Sequence, residues 1–205
     1  MSQESGMTYR HGGEITLADV IPAHRYGRMR QEVRKVNAET SRLRWISMGP
    51  KASIYFENWD TIWFQLHEML FIVDRDEVQI DEELRAFSML VPKGQELVAT
   101  VSLESDDIKA RKPRHNDPEL RVSMSFVGES VVGRPEIDAG SCASGQGPIV
   151  QFIHFEFTPR QVSRFCTPAT PVVLRIEHPA YDHVVLMAEP TRRLICRDLR
   201  ALGKS

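Results

Sequence analysis

The chain has 205 residues, of which 41% are hydrophobic and 26% are charged. This composition is typical of a globular protein and excludes collagen-like, coiled-coil and disordered chains. The net charge of −2 gives no support to nucleic-acid binding. Residues 1–14 are polar and contain several glycines, so we expect them to be a disordered extension. We expect residues 15–205 to form a single domain, as is usual for this length.

The N-terminal residues and the cysteines favour a cytoplasmic protein. The first residues contain no apolar segment of the kind found in secretory signals. No run approaches the roughly 18 apolar residues of a membrane helix, so we expect no membrane contact. Cys142, Cys166 and Cys196 are widely spaced and form no CxxC pair. We therefore predict three free thiols, of which Cys142, in a predicted loop, is the candidate for a reactive one.

The first half of the chain is predicted to be mainly helical. Tyr26, Met29, Val33 and Val36 follow the spacing of one helix face. Gly49-Pro50 marks a turn between two strand-like runs. In chain order the predictions are a helix at 23–42, hairpin strands at 44–48 and 52–57, a helix capped by Asn58 or Asp60 that runs to about 73, and a helix at about 76–89.

The second half is predicted to consist mainly of strands. Its predicted elements are strands at 97–103, 120–127, 149–157, 172–176 and 184–187, a short helix from Pro159 to Cys166, and a final helix from Pro190. Residues 106–118 are predicted to form a charged loop or a frayed helix, and residues 138–148 a loop. Consecutive strands without helical crossovers indicate antiparallel pairing. The predicted fold class is α+β, with N-terminal helices packed on an antiparallel sheet that could close into a barrel.

A cluster of polar residues surrounds the start of the predicted helix after Phe56. Its members are Glu57, Asn58, Asp60, Gln65, His67 and Glu68. Polar side chains at a helix N-terminus suit the binding of an anion or a metal. The alternative interpretation is an ordinary helix start, with capping residues and structural hydrogen bonds.

We expect this cluster to share one polar pocket with the segment at 178–181. Both segments adjoin apolar runs, and an unsatisfied polar group near a core costs about 1–3 kcal/mol, so such groups need partners. Tyr181 could donate a hydrogen bond to Glu57 or Glu68. The predicted pocket residues are Glu57, Asn58, Asp60, Gln65, Glu68, His178 and Tyr181. A buried network that only stabilises the fold is the alternative.

Two further sets of residues are weaker candidates. His154 and Glu156 share a strand face, and together with His178 they offer imidazole and carboxylate groups that suit iron or zinc. No HExxH or ExxH pattern accompanies them, so no metal site is assigned. The first helix is basic, and its residues Arg25, Arg28, Arg34 and Lys35 are candidates for binding an acidic protein partner. A solvated helix face is the alternative.

Several short motifs resemble one bacterial protein family. They are Leu17–Pro22, Phe56–Thr61 (FENWDT), Phe64-Gln65, Glu68–Leu70 (EML) and His178–Tyr181 (HPAY). Together they are similar to domain-of-unknown-function family 3501, from about residue 15 to residue 202. The family has no established activity, but its members are often encoded beside rubrerythrin-like di-iron proteins and iron–sulfur oxidoreductases.

The resemblance implies a link to peroxide or iron–sulfur redox metabolism, with a rubrerythrin-like redox protein as a partner. The leading hypothesis is therefore an accessory or binding protein beside such a system. The alternative is a metal-dependent enzyme of unknown substrate that uses iron or zinc.

Overall fold

The computed structural model describes residues 13–72, 77–104, 120–136, 149–179 and 181–202. Of the predicted extension at 1–14, only Gly13 and Glu14 belong to these ranges. The predicted loops at 106–118 and 138–148, and Cys142 with them, lie outside the described residues. The disorder of the extension and the single domain stay predictions.

The predicted helices are present with small changes at their ends. The helices within the described ranges are a 3₁₀ turn at Leu17–Asp19, α1 (Ala23–Ser41), α2 (Trp59–Ile72), α3 (Glu77–Ser88), α4 (Pro159–Phe165) and α5 (Glu189–Leu202). Asn58 is the N-cap of α2, because its Oδ1 accepts a hydrogen bond from the Thr61 N–H at 2.9 Å. Thr158 caps α4 and Pro159 occupies its first turn, as the sequence predicts.

The strands form two antiparallel sheets. They are β1 (Trp45–Ser47), β2 (Ala52–Phe56), β3 (Glu96–Leu103), β4 (Arg121–Phe126), β5 (Glu129–Val132), β6 (Arg134–Pro135), β7 (Ile149–Glu156), β8 (Val173–His178) and β9 (Tyr181–Leu186). One sheet has the order β1-β2-β3-β7-β6 and the other β5-β4-β8-β9. Every pairing is antiparallel, which confirms the α+β class. The short strands β5 and β6 were not predicted.

The two sheets share one stretch of chain, but they do not close into a barrel within the described residues. The Gly133 N–H donates to the Val122 carbonyl at 2.8 Å in one sheet, and Arg134 pairs with His154 in the other. A Cβ on Gly133 would lie 2.2 Å from Cγ2 of Ile153, so only glycine fits where the chain crosses. The N-terminal helices do not all precede the strands, because β1 and β2 lie between α1 and α2 along the chain.

Two hydrophobic cores flank the larger sheet. The first lies between the sheets and also takes in α4 and α5, with residues such as Phe155, Leu174 and Leu199. The second joins α1, α2 and α3, and Phe152 on the opposite face of β7 packs against it. The alternation along β7 therefore places the helices α1–α3 on the outer face of this sheet.

The prediction of three free thiols is wrong for two of the cysteines. Cys166 and Cys196 form a disulfide between the end of α4 and the middle of α5, with their Cα atoms 5.4 Å apart. The two residues are 30 positions apart in sequence, so only the packing of α4 against α5 reveals that they meet.

Candidate functional site

One candidate site is a cleft of about 840 Å³ between α1, the start of α2 and α5. Its walls are mainly apolar, and the aromatic side chains of Trp59, Trp63 and Phe64 line it from α2. The other apolar residues of the lining are Ile21, Met29, Val33, Val36, Leu43 and Leu194. A mostly apolar cleft of this size with a few polar groups is typical of a small-molecule site.

A buried ion pair forms part of the cleft wall. Arg44 Nη1 donates to Asp198 Oδ2 at 2.8 Å, and the two side chains are only 4% and 9% exposed. The same Nη1 lies 3.4 Å from the carbonyl oxygen of Phe56. Because a buried charge without a partner is costly, this pair fixes α5 against the hairpin of β1 and β2.

The charged residues of the lining are predominantly acidic. Four carboxylates line the cleft, from Asp19, Glu39, Asp60 and Asp198, against two guanidinium groups, from Arg44 and Arg197. The Arg44–Asp198 pair accounts for one charge of each sign, and the Asp19 carboxylate accepts hydrogen bonds from the Thr16 N–H and hydroxyl. The cleft thus combines aromatic faces with an excess of negative charge, and both features favour a cation.

Glu57 lies fully buried behind the cleft, at the end of β2. Its Oε1 accepts a hydrogen bond from the Thr100 hydroxyl at 2.6 Å. Its Oε2 accepts from the Thr61 hydroxyl at 2.6 Å and from Gln65 Nε2 at 2.9 Å. Burial raises the pKa of the Glu57 carboxyl, while these three donors and the charge of Arg44 oppose the rise.

Thr61 lines the cleft, and its hydroxyl donates to this buried carboxyl. It also lies 3.0 Å from the Asn58 carbonyl oxygen, so it can donate to either acceptor. The network around Glu57 can therefore accommodate the carboxyl in its ionised or its protonated form.

Glu68 does not belong to the cleft, although the sequence predicts it in the same pocket as Glu57. Its carboxylate accepts two hydrogen bonds from Arg30, both at 2.8 Å, and one from the Tyr26 hydroxyl at 2.9 Å. Arg34 lies 3.9 Å away. The hydrogen bonds from Arg30 lower the pKa of Glu68. Glu68 thus joins α2 to α1, and its contacts are those of a structural ion pair.

His67 is a buried member of the predicted cluster with a structural role. The Ile21 N–H donates to its Nε2 at 2.9 Å, so Nε2 carries no proton and Nδ1 donates to the Trp63 carbonyl at 2.8 Å. Burial lowers the pKa of this imidazole. The neutral ring therefore holds the chain before α1 against α2.

The predicted hydrogen bond from Tyr181 to Glu57 or Glu68 is wrong. Tyr181 begins β9, and its hydroxyl donates to the Met48 carbonyl beside the turn between β1 and β2. Glu57 lies at the other end of β2, about 17 Å away for five residues of extended chain. His178 pairs with Tyr181 across the β8–β9 hairpin. The two segments are therefore at opposite ends of the larger sheet's second strand and do not form one pocket.

Of the predicted pocket residues, Asn58 and Asp60 line the cleft, and Glu57 and Gln65 form the network behind it. The assignment of a function to them stays a prediction.

The weak metal candidates do not meet either. Glu156 is exposed and pairs with Arg134 at 2.5 Å. His154 lies between two other carboxylates, with Nδ1 3.3 Å from Glu96 and Nε2 3.5 Å from Glu136. Among the described residues, no group of three or more potential ligands could hold a metal ion.

The predicted basic surface is present on α1. Arg25, Arg28, Arg34 and Lys35 are all exposed. Their role in binding an acidic partner stays a prediction.

Sequence reasoning missed the Arg44–Asp198 pair and the apolar wall of the cleft. Asp198 is an acidic residue in a helix whose other central charges are arginines, and it lies directly beside the core residue Leu199. An acidic residue at such a position was the sequence signal that could have indicated a buried ion pair. The partner could not be inferred, because 154 residues separate Asp198 from Arg44.

Comparisons with known proteins give a family and a fold. Residues 14–199 match the family described as "Protein of unknown function (DUF3501)". The structure is similar to a crystal structure of a novel protein of unknown function from Burkholderia pseudomallei K96243, with a TM-score of 0.76 and 24% identity. That match covers 91% of this chain and 99% of the other. No curated protein matches the chain. Within the described ranges, no helix is long and apolar enough to span a bilayer.

Proposed function

The chain belongs to the DUF3501 family of proteins of unknown function, and from the geometry of its cleft we propose that it is a binding protein for a largely apolar organic cation. The observation that carries this proposal is the cleft itself, with its aromatic wall and its excess of carboxylates. An aliphatic or aromatic amine of drug-like size has the matching chemistry. Its apolar part would contact Trp59, Trp63 and Phe64, and its ammonium group would lie among the carboxylates.

The position of the charges supports a ligand with one charged end. Glu39 lies on the exposed side of α1, whereas the carboxylate of Asp198 is already paired with Arg44 deep in the wall. A ligand that enters with its apolar end first would keep its ammonium group near Glu39, which lines the cleft. An anionic ligand would instead meet an excess of like charge.

Three ligands with one carbon skeleton test the proposal: 4-phenylbutylammonium, 4-phenylbutan-1-ol and 4-phenylbutanoate. Trp59 and Trp63 line the cleft, so tryptophan fluorescence reports on its occupation. We expect the ammonium compound to bind about tenfold more tightly than the carboxylate, a difference of about 1.4 kcal/mol. Equal binding of the three compounds, or tighter binding of the carboxylate, would contradict the proposal.

A pair of variants on α1 locates the binding site. Glu39→Gln removes a carboxylate of the cleft, and Glu32→Gln removes an exposed carboxylate of the same helix that does not line it. We expect Glu39→Gln to weaken binding of the ammonium compound about two- to fivefold, as for an exposed charge pair. Glu32→Gln should leave binding unchanged.

The other functional hypotheses remain proposals with their own tests. Elemental analysis of protein purified without a histidine tag tests for stoichiometric iron or zinc, which the alternative of a metal-dependent enzyme requires. Co-purification with a rubrerythrin-like protein, compared between the wild type and an Arg25→Glu, Arg28→Glu variant, tests the redox partner and the basic surface together.

A further inference from the structure

The disulfide between Cys166 and Cys196 lines a second, smaller pocket of about 240 Å³. The pocket lies beside α5, and Arg197 lines both this pocket and the cleft. Its other lining residues are Pro168 and the arginines Arg192, Arg193, Arg197 and Arg200. A reagent of small-molecule size that enters it would therefore meet the disulfide in a basic environment.

The arginines surround Cys196 because of the helical repeat. Arg192 and Arg200 lie four residues before and after Cys196, which places the three side chains on one helix face. Arg192 is buried and pairs with Glu189 at 2.7 Å. Arg197 and Arg200 are exposed, and the described residues include no carboxylate paired with either of them. Their positive charge is therefore available beside the sulfur atoms.

Positive charge affects thiol–disulfide exchange in two ways. It attracts an anionic reagent, which raises the encounter rate at low ionic strength. It also stabilises a cysteine that leaves as a thiolate. Cys196 has the arginines on its own helix, whereas Cys166 lies at the C-terminal end of α4, where the helix carbonyl groups disfavour negative charge. Cys196 is thus the better leaving group.

We propose that the Cys166–Cys196 disulfide is a site of thiol–disulfide exchange with anionic low-molecular-weight thiols, that is, thiols that carry a carboxylate. The thiolate of the small molecule attacks Cys166 Sγ and forms a mixed disulfide with it. The bond between Cys166 and Cys196 breaks, and its electron pair leaves on Cys196 Sγ as a thiolate. A second thiolate of the same class attacks the small-molecule sulfur of the mixed disulfide. This step releases Cys166 as a thiolate, and the two small thiols leave as one oxidised disulfide.

The fold can accommodate this exchange. Ile195 and Leu199 on α5 are fully buried in the core between the sheets, and Phe165 on α4 is too. Both helices therefore remain packed when the covalent link between them opens. The exchange is accordingly expected to be reversible.

A series of thiols with different charges tests the proposal. The wild-type protein is treated with 3-mercaptopropionate, 2-mercaptoethanol or cysteamine, and the reaction is stopped by acid and followed by mass spectrometry. Rates are compared per concentration of thiolate. Because the intrinsic reactivity of a thiolate rises with the pKa of its thiol, the rates for 3-mercaptopropionate and cysteamine are compared as a ratio at two salt concentrations. We expect this ratio to be at least about fivefold higher at low ionic strength than in 1 M salt, where the screening length is about 3 Å.

Two double variants with equal net charge separate the pocket from the charge of the whole protein. Arg197→Gln with Arg200→Gln should abolish the salt-dependent part of the preference for the anionic thiol. Arg160→Gln with Arg175→Gln removes two exposed arginines outside the pocket and should leave the preference intact. Peptide mapping of the wild type should place the mixed disulfide on Cys166.

Four results would overturn the proposal. They are a ratio of the 3-mercaptopropionate rate to the cysteamine rate that salt does not change, the same response of both double variants, a mixed disulfide confined to Cys196, and three alkylatable thiols in the untreated, denatured protein. The wild-type measurements decide the question even if one of the variants fails to fold.

Discussion

Removing one partner of the buried Arg44–Asp198 pair should destabilise the protein strongly. In the Asp198→Ala variant, the guanidinium of Arg44 keeps its burial but loses the carboxylate 2.8 Å away. The Phe56 carbonyl, at 3.4 Å, is a weak substitute. Leaving a buried charge without its partner costs about 3–5 kcal/mol. For a chain of this size, each kcal/mol lowers Tm by roughly 2–4 °C, so we expect a decrease of roughly 6–20 °C.

The exposed pair of Arg134 and Glu156 provides the matched control. Its atoms are closer, at 2.5 Å, but its side chains are 71% and 69% exposed. Because water and salt screen such a pair, Glu156→Ala should cost less than about 1 kcal/mol. Burial, and not distance, should thus determine which of the two pairs matters for stability.

Urea denaturation of four proteins provides the measurement: wild type, Asp198→Ala, Glu156→Ala and the double variant Arg44→Met, Asp198→Leu. The double variant replaces both charges with apolar groups, so it should recover most of the stability that Asp198→Ala loses. If Asp198→Ala costs no more than Glu156→Ala, the pair does not fix α5, and the reasoning about the cleft wall fails.

Three further predictions concern other buried groups. Burial raises the folded-state pKa of Glu57 above its ordinary value of 4.5. The folded protein therefore binds the proton more tightly than the unfolded chain, and it loses stability as the pH rises from 4.5 through the folded-state pKa. In urea denaturation between pH 4 and 8, the free energy of unfolding should decline less for Glu57→Gln than for the wild type. Burial lowers the pKa of His67 below its ordinary value of 6.5, so the free energy of unfolding should decrease as the pH falls below 6.5. His67→Gln should weaken this dependence of stability on pH, and an unchanged dependence would contradict the role of the neutral ring. Replacement of Cys166 and Cys196 by serine should lower the free energy of unfolding by about 3–4 kcal/mol, which is the chain-entropy value for the loop that the disulfide closes. A urea midpoint equal to that of the oxidised wild type would show that the disulfide does not constrain the unfolded chain.

The local patterns of the sequence predicted most of the helices and strands. Tyr26 and Val33 are buried on α1, as their helical spacing indicates. Asn58 and Thr158 cap the helices at which the sequence places them. Such signals depend on residues within one or two turns of each other, which is why they can be recognised without a tertiary structure.

Two of the predictions that failed concern residues that are distant in sequence. Tyr181 follows a strand and adjoins an apolar run, as predicted, but its partner depends on how the β8–β9 hairpin packs beside Met48. The disulfide likewise depends on the packing of α4 against α5. The strands β5 and β6 were also missed; they lie on either side of Gly133, where the pairing changes from one sheet to the other.

The position of α5 connects the cleft, the ion pair and the disulfide. Leu194 and Asp198 are four residues apart and both line the cleft, whereas Cys196, halfway between them, faces the second pocket. A helix places such residues on different faces, so one rigid element contributes to both pockets at once. Because Ile195 and Leu199 are buried in the core, α5 cannot rotate toward either pocket unless the core side chains around it repack. The Arg44–Asp198 pair and the disulfide therefore hold the same helix from different sides. A substitution that removes one of these two links should change the packing of α5 at the other.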